Sequence, residues 1–305
     1  MRLLAIVGPT ASGKSALAVD VAERIDGEIV GTDSMQAYVG MDIGTATPSA
    51  ADRREIRHHM LDEWDIGQAV SVVEFRDRAR TAIADIFERR RMPIVVGGSG
   101  LYVRAVLEEM EFPGTDPALR RKWEQELALS GAPALHELLR QRDPQAAAHI
   151  EPNNGRRIVR ALEVNELTGA PFVARLPTPQ DRYPTIRVGL RIDRSALDDR
   201  IADRVDAMWA AGFVEEVRTL RGLGLREAPT ARAALGYRPV LDFLDGRIDE
   251  QTAHAMTIED TRKFARRQQR WFAKDERITW FDHDAPGLVD SVVALAIAEG
   301  PFVSH

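Results

Sequence analysis

The chain has 305 residues, a formal net charge of −6 and no cysteine. Its length allows two hydrophobic cores or one core with a large insertion, and the missing cysteine excludes disulfides, thiolate metal sites and cysteine nucleophiles. No apolar run approaches the roughly 18 residues of a membrane span. Because a strand is expected from residue 3 onward, no signal peptide fits before it, and the sequence predicts a cytoplasmic protein.

The first strand and the first helix frame a phosphate-binding loop. Residues 3–7 are an apolar run that predicts a buried strand, and residues 16–22 carry apolar side chains at helical spacing. The sequence between them fits the pattern G-x-x-x-x-G-K-[ST], whose backbone N–H groups and helix N-terminus point at an anion. The loop consists of Gly8, Pro9, Thr10, Ala11, Ser12, Gly13, Lys14 and Ser15. It predicts binding of a di- or triphosphate, of which ATP is one example, with Lys14 on the phosphates and Ser15 on Mg²⁺.

Strands and helices alternate up to residue 110. The predicted elements are strands at residues 28–32 and 93–96 and helices at residues 73–91 and 101–110. This alternation predicts an α/β fold: a P-loop NTPase-like parallel sheet flanked by helices. Ligands of such sheets gather at the carboxyl ends of the strands. The phosphate loop, Asp33 and the glycine turn at residues 97–100 are therefore expected to face one crevice.

The pattern changes near residue 112. Prolines and glycines interrupt short helical segments up to residue 185, and an alternating strand follows at residues 186–192. We therefore predict a catalytic core of residues 1–111 and 186–305, interrupted by a mostly helical insertion domain of residues 112–185. A long helix over residues 198–220 and a helical remainder complete this prediction.

Basic residues form three clusters despite the negative net charge. They are Arg120, Arg121 and Lys122; Arg156, Arg157 and Arg160; and Arg262, Lys263, Arg266, Arg267 and Arg270. Local patches, more than net charge, set the field that a polyanion meets. The clusters indicate a nucleic-acid partner, although each also fits a solvated helix face. The aromatic pair Trp271 and Phe272 is interpreted as core packing rather than as a platform for base stacking.

The phosphate loop serves three kinds of reaction: hydrolysis of a nucleotide, phosphoryl transfer to a small acceptor, and displacement of pyrophosphate. The third strand ends in glycines, not in the metal-binding aspartate typical of hydrolytic switches. The acid at a strand end is Asp33. It fits three roles: a metal ligand, a general base for an acceptor proton, or a cap on the following turn.

Several segments resemble the tRNA dimethylallyltransferase (isopentenyltransferase) family, and the resemblance covers nearly all of the chain. The segments are residues 8–15, 31–38, 41–46, 96–102, 154–163, 212–217, 235–238 and 266–272. The phosphate loop alone is generic. The Asp-Ser-x-Gln segment that begins at Asp33, the Gly-Tyr-Arg segment that begins at Gly236 and the Arg-Gln-x-x-Trp-Phe segment that ends at Phe272 are specific.

The resemblance implies Mg²⁺-dependent transfer of a dimethylallyl group from dimethylallyl pyrophosphate to N6 of the adenine 3′ of the tRNA anticodon. It implies that the loop holds pyrophosphate, that Asp33 accepts the proton from N6, and that Arg232, or alternatively Arg238, contacts pyrophosphate. The implied tRNA contacts are Asp33, Ser34, Met35, Gln36, Ser99, Arg121, Arg156, Arg157, Ile158, Val159 and Arg160. The implied partners are the anticodon stem-loop and the pyrophosphate donor, with no membrane, and the chain is expected to be a monomer.

Two other functions fit the phosphate loop. A small-molecule or nucleoside kinase would use ATP and an acceptor pocket in place of an RNA channel. An RNA-binding nucleotide switch would carry out no transfer. The segment from Asp33 to Gln36 and the basic insertion favour transfer over the kinase, and the combination of Lys14 with Asp33 favours it over the switch.

Overall fold

The computed structural model describes residues 2–172 and 178–298. Within these ranges one parallel six-stranded sheet has the order β3-β2-β4-β1-β5-β6. Its strands are β1 (Leu3–Val7), β2 (Gly27–Gly31), β3 (His58–His59), β4 (Met92–Gly97), β5 (Thr185–Arg191) and β6 (Ile278–Asp282). The predicted P-loop NTPase-like α/β core is confirmed.

Helices cover both faces of this sheet. The α-helices of the described residues are α1 (Lys14–Ile25), α2 (Ala50–Arg53), α3 (Val72–Glu88), α4 (Gly100–Leu107), α5 (Pro117–Arg142), α6 (Pro144–Ala147), α7 (Gly155–Thr168), α8 (Arg194–Ala210), α9 (Phe213–Gly222), α10 (Tyr237–Leu244), α11 (Glu250–Phe272) and α12 (Leu288–Ile297). Of these, α3 and α4 pack on one face of the sheet and α1 and α12 on the other. Along β1 the side chains of Leu3 and Val7 pack into the layer of α3 and α4, and Leu4 packs into the layer of α1 and α12. Since both faces are covered, the strand is an uninterrupted apolar run.

The chain divides into two compact units: Met1–Glu108 with Asp181–His305, and Glu109–Gln180. The second unit contains α5, α6 and α7, which pack around a core that includes Trp123, Leu139 and Leu162. The predicted insertion domain, residues 112–185, overlaps this unit, although residues 173–177 lie outside the described residues. Residues 299–305 of the predicted catalytic core lie outside them as well.

Two local predictions were wrong. The predicted helix over residues 198–220 is two helices, because Gly212 has a φ of 96° and separates α8 from α9. The remainder is not wholly helical, since β6 forms the edge of the sheet. Strand β3, at the opposite edge, has only two residues and gives too short a pattern to recognise. In the described residues no helix is both long and apolar enough to cross a membrane.

Candidate functional site

The phosphate loop leads from β1 into the N-terminus of α1. Gly13 precedes the helix with a φ of 91°, a left-handed conformation that favours glycine. Lys14 begins the helix, and its Nζ donates to the carbonyl of Pro9 over 3.2 Å. Ser15 follows and is exposed. The loop therefore places an ammonium, a hydroxyl and a helix N-terminus together, which is the arrangement that binds phosphates.

Side chains from two distant helices brace this loop. The backbone N–H of Thr10 donates to Oε1 of Gln268 on α11 over 2.8 Å. Arg204 on α8 donates to Oγ1 of Thr10 over 3.2 Å, and one turn earlier Arg200 donates to the carbonyl of Ala11 over 2.9 Å. Two adjacent residues of the loop are thus held by side chains at least 189 positions further along the chain.

The glycine turn after β4 is required by close contacts with α11. A Cβ atom on Gly98 would lie 2.3 Å from Nε2 of Gln268, which donates to the Gly98 carbonyl. A Cβ on Gly100 would lie 1.9 Å from Nε1 of Trp271. Trp271 therefore packs on this turn while remaining 39% exposed, and the neighbouring Phe272 is buried. The turn is glycine-rich because another helix lies directly against its backbone.

Asp33 lies two residues beyond the end of β2, at the start of a tight turn. Its Oδ1 accepts from the backbone N–H of Met35 over 3.1 Å, so the carboxylate caps the turn. Ser34, Met35 and Gln36 are half-buried in the same turn. A carboxylate has two acceptor oxygens, so one can accept the N–H of the turn while the other accepts a proton from a ligand in the crevice. The capping role therefore does not exclude the role of a base.

One cavity brings the predicted chemistry together. Its polar lining consists of Thr10, Lys14, Ser15, Asp33, Gln36, Thr45, His58, His59, Arg204 and Gln268. Its apolar wall includes Ala18, Ile29, Ala46, Pro48, Leu61 and Phe264. A more open cleft adjoins it on the outer side of the loop, where Arg200 and Asp203 join Lys14 and Arg204. The arrangement offers cations for an anion, a carboxylate for a proton and an apolar surface for a small hydrocarbon group.

The charges of the cavity are coupled. Burial, and next to it repulsion from Arg204, lower the pKa of Lys14 from 10.5 to about 8, while Asp33 acts in the opposite direction. Burial also lowers the pKa of Arg204, again with Asp33 opposing the effect. Two cations held together in a poorly solvated place favour an incoming anion, because the anion relieves both the desolvation and the repulsion.

Arg204 is the site residue that the sequence analysis missed. The residues proposed in its place lie elsewhere in the described structure: Arg232 is exposed in a short turn, the side chain of Arg238 is 87% exposed, and neither lines the cavity. No motif spacing points to Arg204, because its helix is brought to the phosphate loop by the pairing of β5 with β1.

The residues present fit a magnesium ion bound together with phosphates. In the described residues no group of three or more His, Cys, Asp or Glu side chains is arranged to hold a metal. Mg²⁺ bound to a phosphorylated substrate needs few protein ligands, because phosphate oxygens and water complete its octahedron. The Ser15 hydroxyl and the Asp33 carboxylate line the same cavity as Lys14 and supply oxygen donors of the required kind.

The candidate RNA contacts of the insertion unit divide into exposed and internal groups. Arg121, Arg156 and Arg157 are exposed, whereas Ile158 and Val159 are buried in the core of the unit and offer no side-chain surface to RNA. Arg160 contacts the buried Glu163 over 2.9 Å and donates to the carbonyls of Pro113 and Gly114. In the first unit, Ser99 is half-buried at the start of α4.

The comparisons with known proteins agree with one another. A family model described as IPP transferase matches residues 36–275. A tRNA dimethylallyltransferase of Salinispora tropica is 56% identical over 94% of this chain and 90% of its own length, and one of Streptomyces avermitilis is 51% identical over 99% and 97%. The solved tRNA isopentenylpyrophosphate transferase of Bacillus halodurans is 38% identical with a TM-score of 0.73, over 97% of this chain and 96% of that one. A eukaryotic dimethylallyltransferase acting on tRNA reaches a TM-score of 0.79 at 25% identity, over 97% and 78%.

Proposed function

The chain belongs to the IPP transferase family and is an enzyme that transfers a dimethylallyl group to tRNA, and we propose that the donor is dimethylallyl pyrophosphate and the acceptor the N6 amine of the adenine 3′ of the anticodon. The observation that carries this proposal is the single cavity in which Lys14, Asp33 and Arg204 meet beside an apolar wall. The wall suits the hydrocarbon group, and the cations suit its pyrophosphate.

The reaction follows from the positions of these groups. The lone pair of N6 attacks the allylic carbon, the bond from that carbon to oxygen breaks, and pyrophosphate leaves with the electron pair. Lys14, Arg204 and the N-terminus of α1 stabilise the negative charge that grows on the departing oxygens, which is where preorganised donors act best. Asp33 accepts the proton that N6 loses. The phosphate loop thus holds a leaving group, and carbon rather than phosphorus is attacked.

Mg²⁺ is the proposed cofactor, with Ser15 as its ligand from the loop. When bound, it would neutralise part of the charge on the pyrophosphate oxygens. Ser15 is exposed beside Lys14, so the hydroxyl and the ammonium can contact the same anion.

We propose Arg204 as the second arginine contact of pyrophosphate. Its guanidinium lies against Thr10 and is coupled to Lys14 and Asp33. The planar guanidinium presents its N–H groups in a fixed fork that matches two phosphate oxygens, a geometry that the lysine ammonium lacks. The role given to Arg232 stays a prediction, and substitution of each arginine distinguishes the two.

The acceptor base is proposed to leave the anticodon-loop stack and enter the cavity, as bases do in other enzymes that modify them. Arg121, Arg156 and Arg157 are proposed to hold the tRNA backbone, which positions the loop without reading its sequence. Action as a monomer in the cytoplasm, where tRNA is found, completes the proposal.

The experiment supplies dimethylallyl pyrophosphate labelled in the allyl group, Mg²⁺ and unmodified tRNA whose anticodon loop carries consecutive adenines. We expect label in tRNA and equimolar release of pyrophosphate. Asp33→Ala should abolish transfer while the affinities for pyrophosphate and tRNA stay within about threefold of the original. Arg204→Gln should raise the KM for the donor far more than Arg232→Gln does.

Each result can contradict a different part of the proposal. Phosphate transfer from ATP with no label in tRNA would refute the proposed donor and acceptor. Near-normal turnover of Asp33→Ala would exclude this carboxylate as the base. A larger loss in Arg232→Gln than in Arg204→Gln would return the pyrophosphate contact to Arg232.

A further inference from the structure

Gln36 presents a defined face to the cavity. Its Nε2 donates to the carbonyl of Thr45 over 3.1 Å and to the carbonyl of Ala46 over 3.2 Å. A side-chain amide nitrogen has two hydrogens, so both are used. Because the neighbouring groups are carbonyl oxygens, the amide cannot be turned the other way. The remaining oxygen, Oε1, is therefore an acceptor in the cavity that Asp33 also lines.

The two carbonyls that fix this amide belong to a strained loop. Ala46 has a φ of 50°, in the left-handed region that costs a residue other than glycine of the order of 1 kcal/mol. Its backbone N–H donates to the carbonyl of Ile43, and Thr47 closes the turn on Asp42. A loop in this conformation persists only where its surroundings impose it.

The surroundings that impose it centre on one carboxylate, that of Glu216 on α9. It accepts three consecutive backbone N–H groups, from Asp42 over 2.9 Å, Ile43 over 2.6 Å and Gly44 over 3.1 Å. The hydroxyl of the buried Tyr237 donates to the same carboxylate over 2.7 Å. These bonds are charge-assisted, which makes them stronger than bonds between neutral groups.

Gly44 shows how closely the loop is held. A Cβ on it would lie 2.2 Å from the ring of Phe213 and 2.6 Å from that of Tyr237. The backbone of the loop therefore lies directly on the aromatic rings of α9 and α10, and the loop has little freedom to move away from Glu216.

From this chain of contacts we propose that Glu216 is a positioning residue that makes Gln36 a hydrogen-bond acceptor for the exocyclic amine of the target base. The inference rests on the proposed function, since it needs an adenine in the cavity. An amine at C6 has two N–H groups, one for Asp33 and one for Gln36. A base with a carbonyl at C6 meets two acceptors and is repelled, so the pair selects an amino base.

The test measures the binding of two anticodon stem-loops to the full-length protein. They are identical except that the target position holds adenine in one and unsubstituted purine, which lacks the amine, in the other. We expect the original protein to bind the adenine loop at least tenfold more tightly. Gln36→Ala should lower this ratio at least threefold, and Glu216→Gln should lower it to the same value. A general loss of folding would weaken the binding of both stem-loops and leave the ratio of their affinities unchanged.

Controls separate positioning from structure. Glu215→Gln changes the neighbouring side chain, which pairs only with the surface residue Arg218 in the described contacts, and should leave the ratio unchanged. Tyr237→Phe removes one of the hydrogen bonds that the Glu216 carboxylate accepts, and it serves as a milder variant if Glu216→Gln does not fold. In the double variant of Gln36→Ala with Glu216→Gln, the second change should have no further effect, as coupling through one residue requires.

Three outcomes would overturn the inference: equal binding of the adenine and purine stem-loops by the original protein, an unchanged ratio in folded Glu216→Gln, or a double variant with a ratio well below that of Gln36→Ala. Failure of the proposed function looks different, because the original protein then transfers no label to tRNA.

Discussion

Glu28 gives the sharpest prediction about the stability of the core. It is 1% exposed on β2 and contacts Arg89 over 2.8 Å and His59 over 2.7 Å. Burial acts to raise the pKa of this carboxyl, but its hydrogen bonds to Arg89 and His59 outweigh burial and lower the pKa from 4.5 to about 2. Ionisation of Glu28 is therefore more favourable in the folded than in the unfolded protein by roughly 3 kcal/mol.

The substitution Glu28→Gln imitates the protonated acid. Since the folded pKa lies below the unfolded one, the ionised carboxylate stabilises the fold above pH 4.5, and this contribution is lost as the pH falls toward 2. We expect the variant to lose about 3 kcal/mol at pH 7 and about 2 kcal/mol at pH 3.5 relative to the original. Urea unfolding followed by tryptophan fluorescence at a series of pH values measures both differences.

The matched control is Glu23→Gln. Glu23 also pairs with an arginine, Arg54, but its side chain is 43% exposed, so the change should cost at most about 1 kcal/mol at any pH. A loss below about 1 kcal/mol for Glu28→Gln at pH 7, or a loss that is the same at pH 7 and pH 3.5, would refute the reasoning.

Three other predictions concern the site and the insertion unit. Gly98→Ala should raise the KM for the pyrophosphate donor at least tenfold, because the new methyl group would displace Gln268 from the phosphate loop; donor titration measures this, and an unchanged KM would contradict it. Replacing Arg156 and Arg157 by Gln should make the salt dependence of tRNA binding less steep, by roughly 1 to 2 in the slope of log K against log salt; an unchanged slope would place the RNA elsewhere. Arg160→Gln should destabilise the insertion unit by about 2 kcal/mol, since the buried carboxylate of Glu163 loses one charged partner but keeps Arg120; limited proteolysis should show faster cleavage there than in Arg156→Gln, and equal rates would contradict the structural role.

Local patterns predicted a large part of the fold and of the site. The apolar run of β1, the glycine loop and the following helix are contiguous in the chain. The carboxyl ends of parallel strands meet at one edge of a sheet, so the amino-acid sequence alone predicted that Lys14 and Asp33 face the same crevice. The family and the transfer of a dimethylallyl group to tRNA are likewise confirmed.

The missing parts depend on contacts between distant residues. Thr10 is bound by Arg204 and Gln268, and no periodicity or motif spacing connects these positions. The orientation of the Gln36 amide depends on two backbone carbonyl groups, and the residue types in a sequence do not show where backbone carbonyls point. Ile158 lies in a segment that resembles an RNA-binding motif, yet its side chain is buried in the core of the insertion unit. The resemblance does not distinguish the residues of such a segment that face solvent from those that form its core.

The bracing of the phosphate loop has a consequence for the synthesis of the chain. The loop is made within the first fifteen residues, yet β1 lies beside β5, and the partner of Thr10 is Gln268. A ribosome that has made β1, the loop and α1 has made a sequence that cannot yet form its binding site. Contacts of such sequence separation form slowly, because a long segment must be ordered before they close. The nascent chain therefore leaves one edge of β1 unpaired until β5 has emerged, because β4 covers only the other edge. A chain truncated before α11 keeps the phosphate motif but loses Gln268, one of the side chains that hold it.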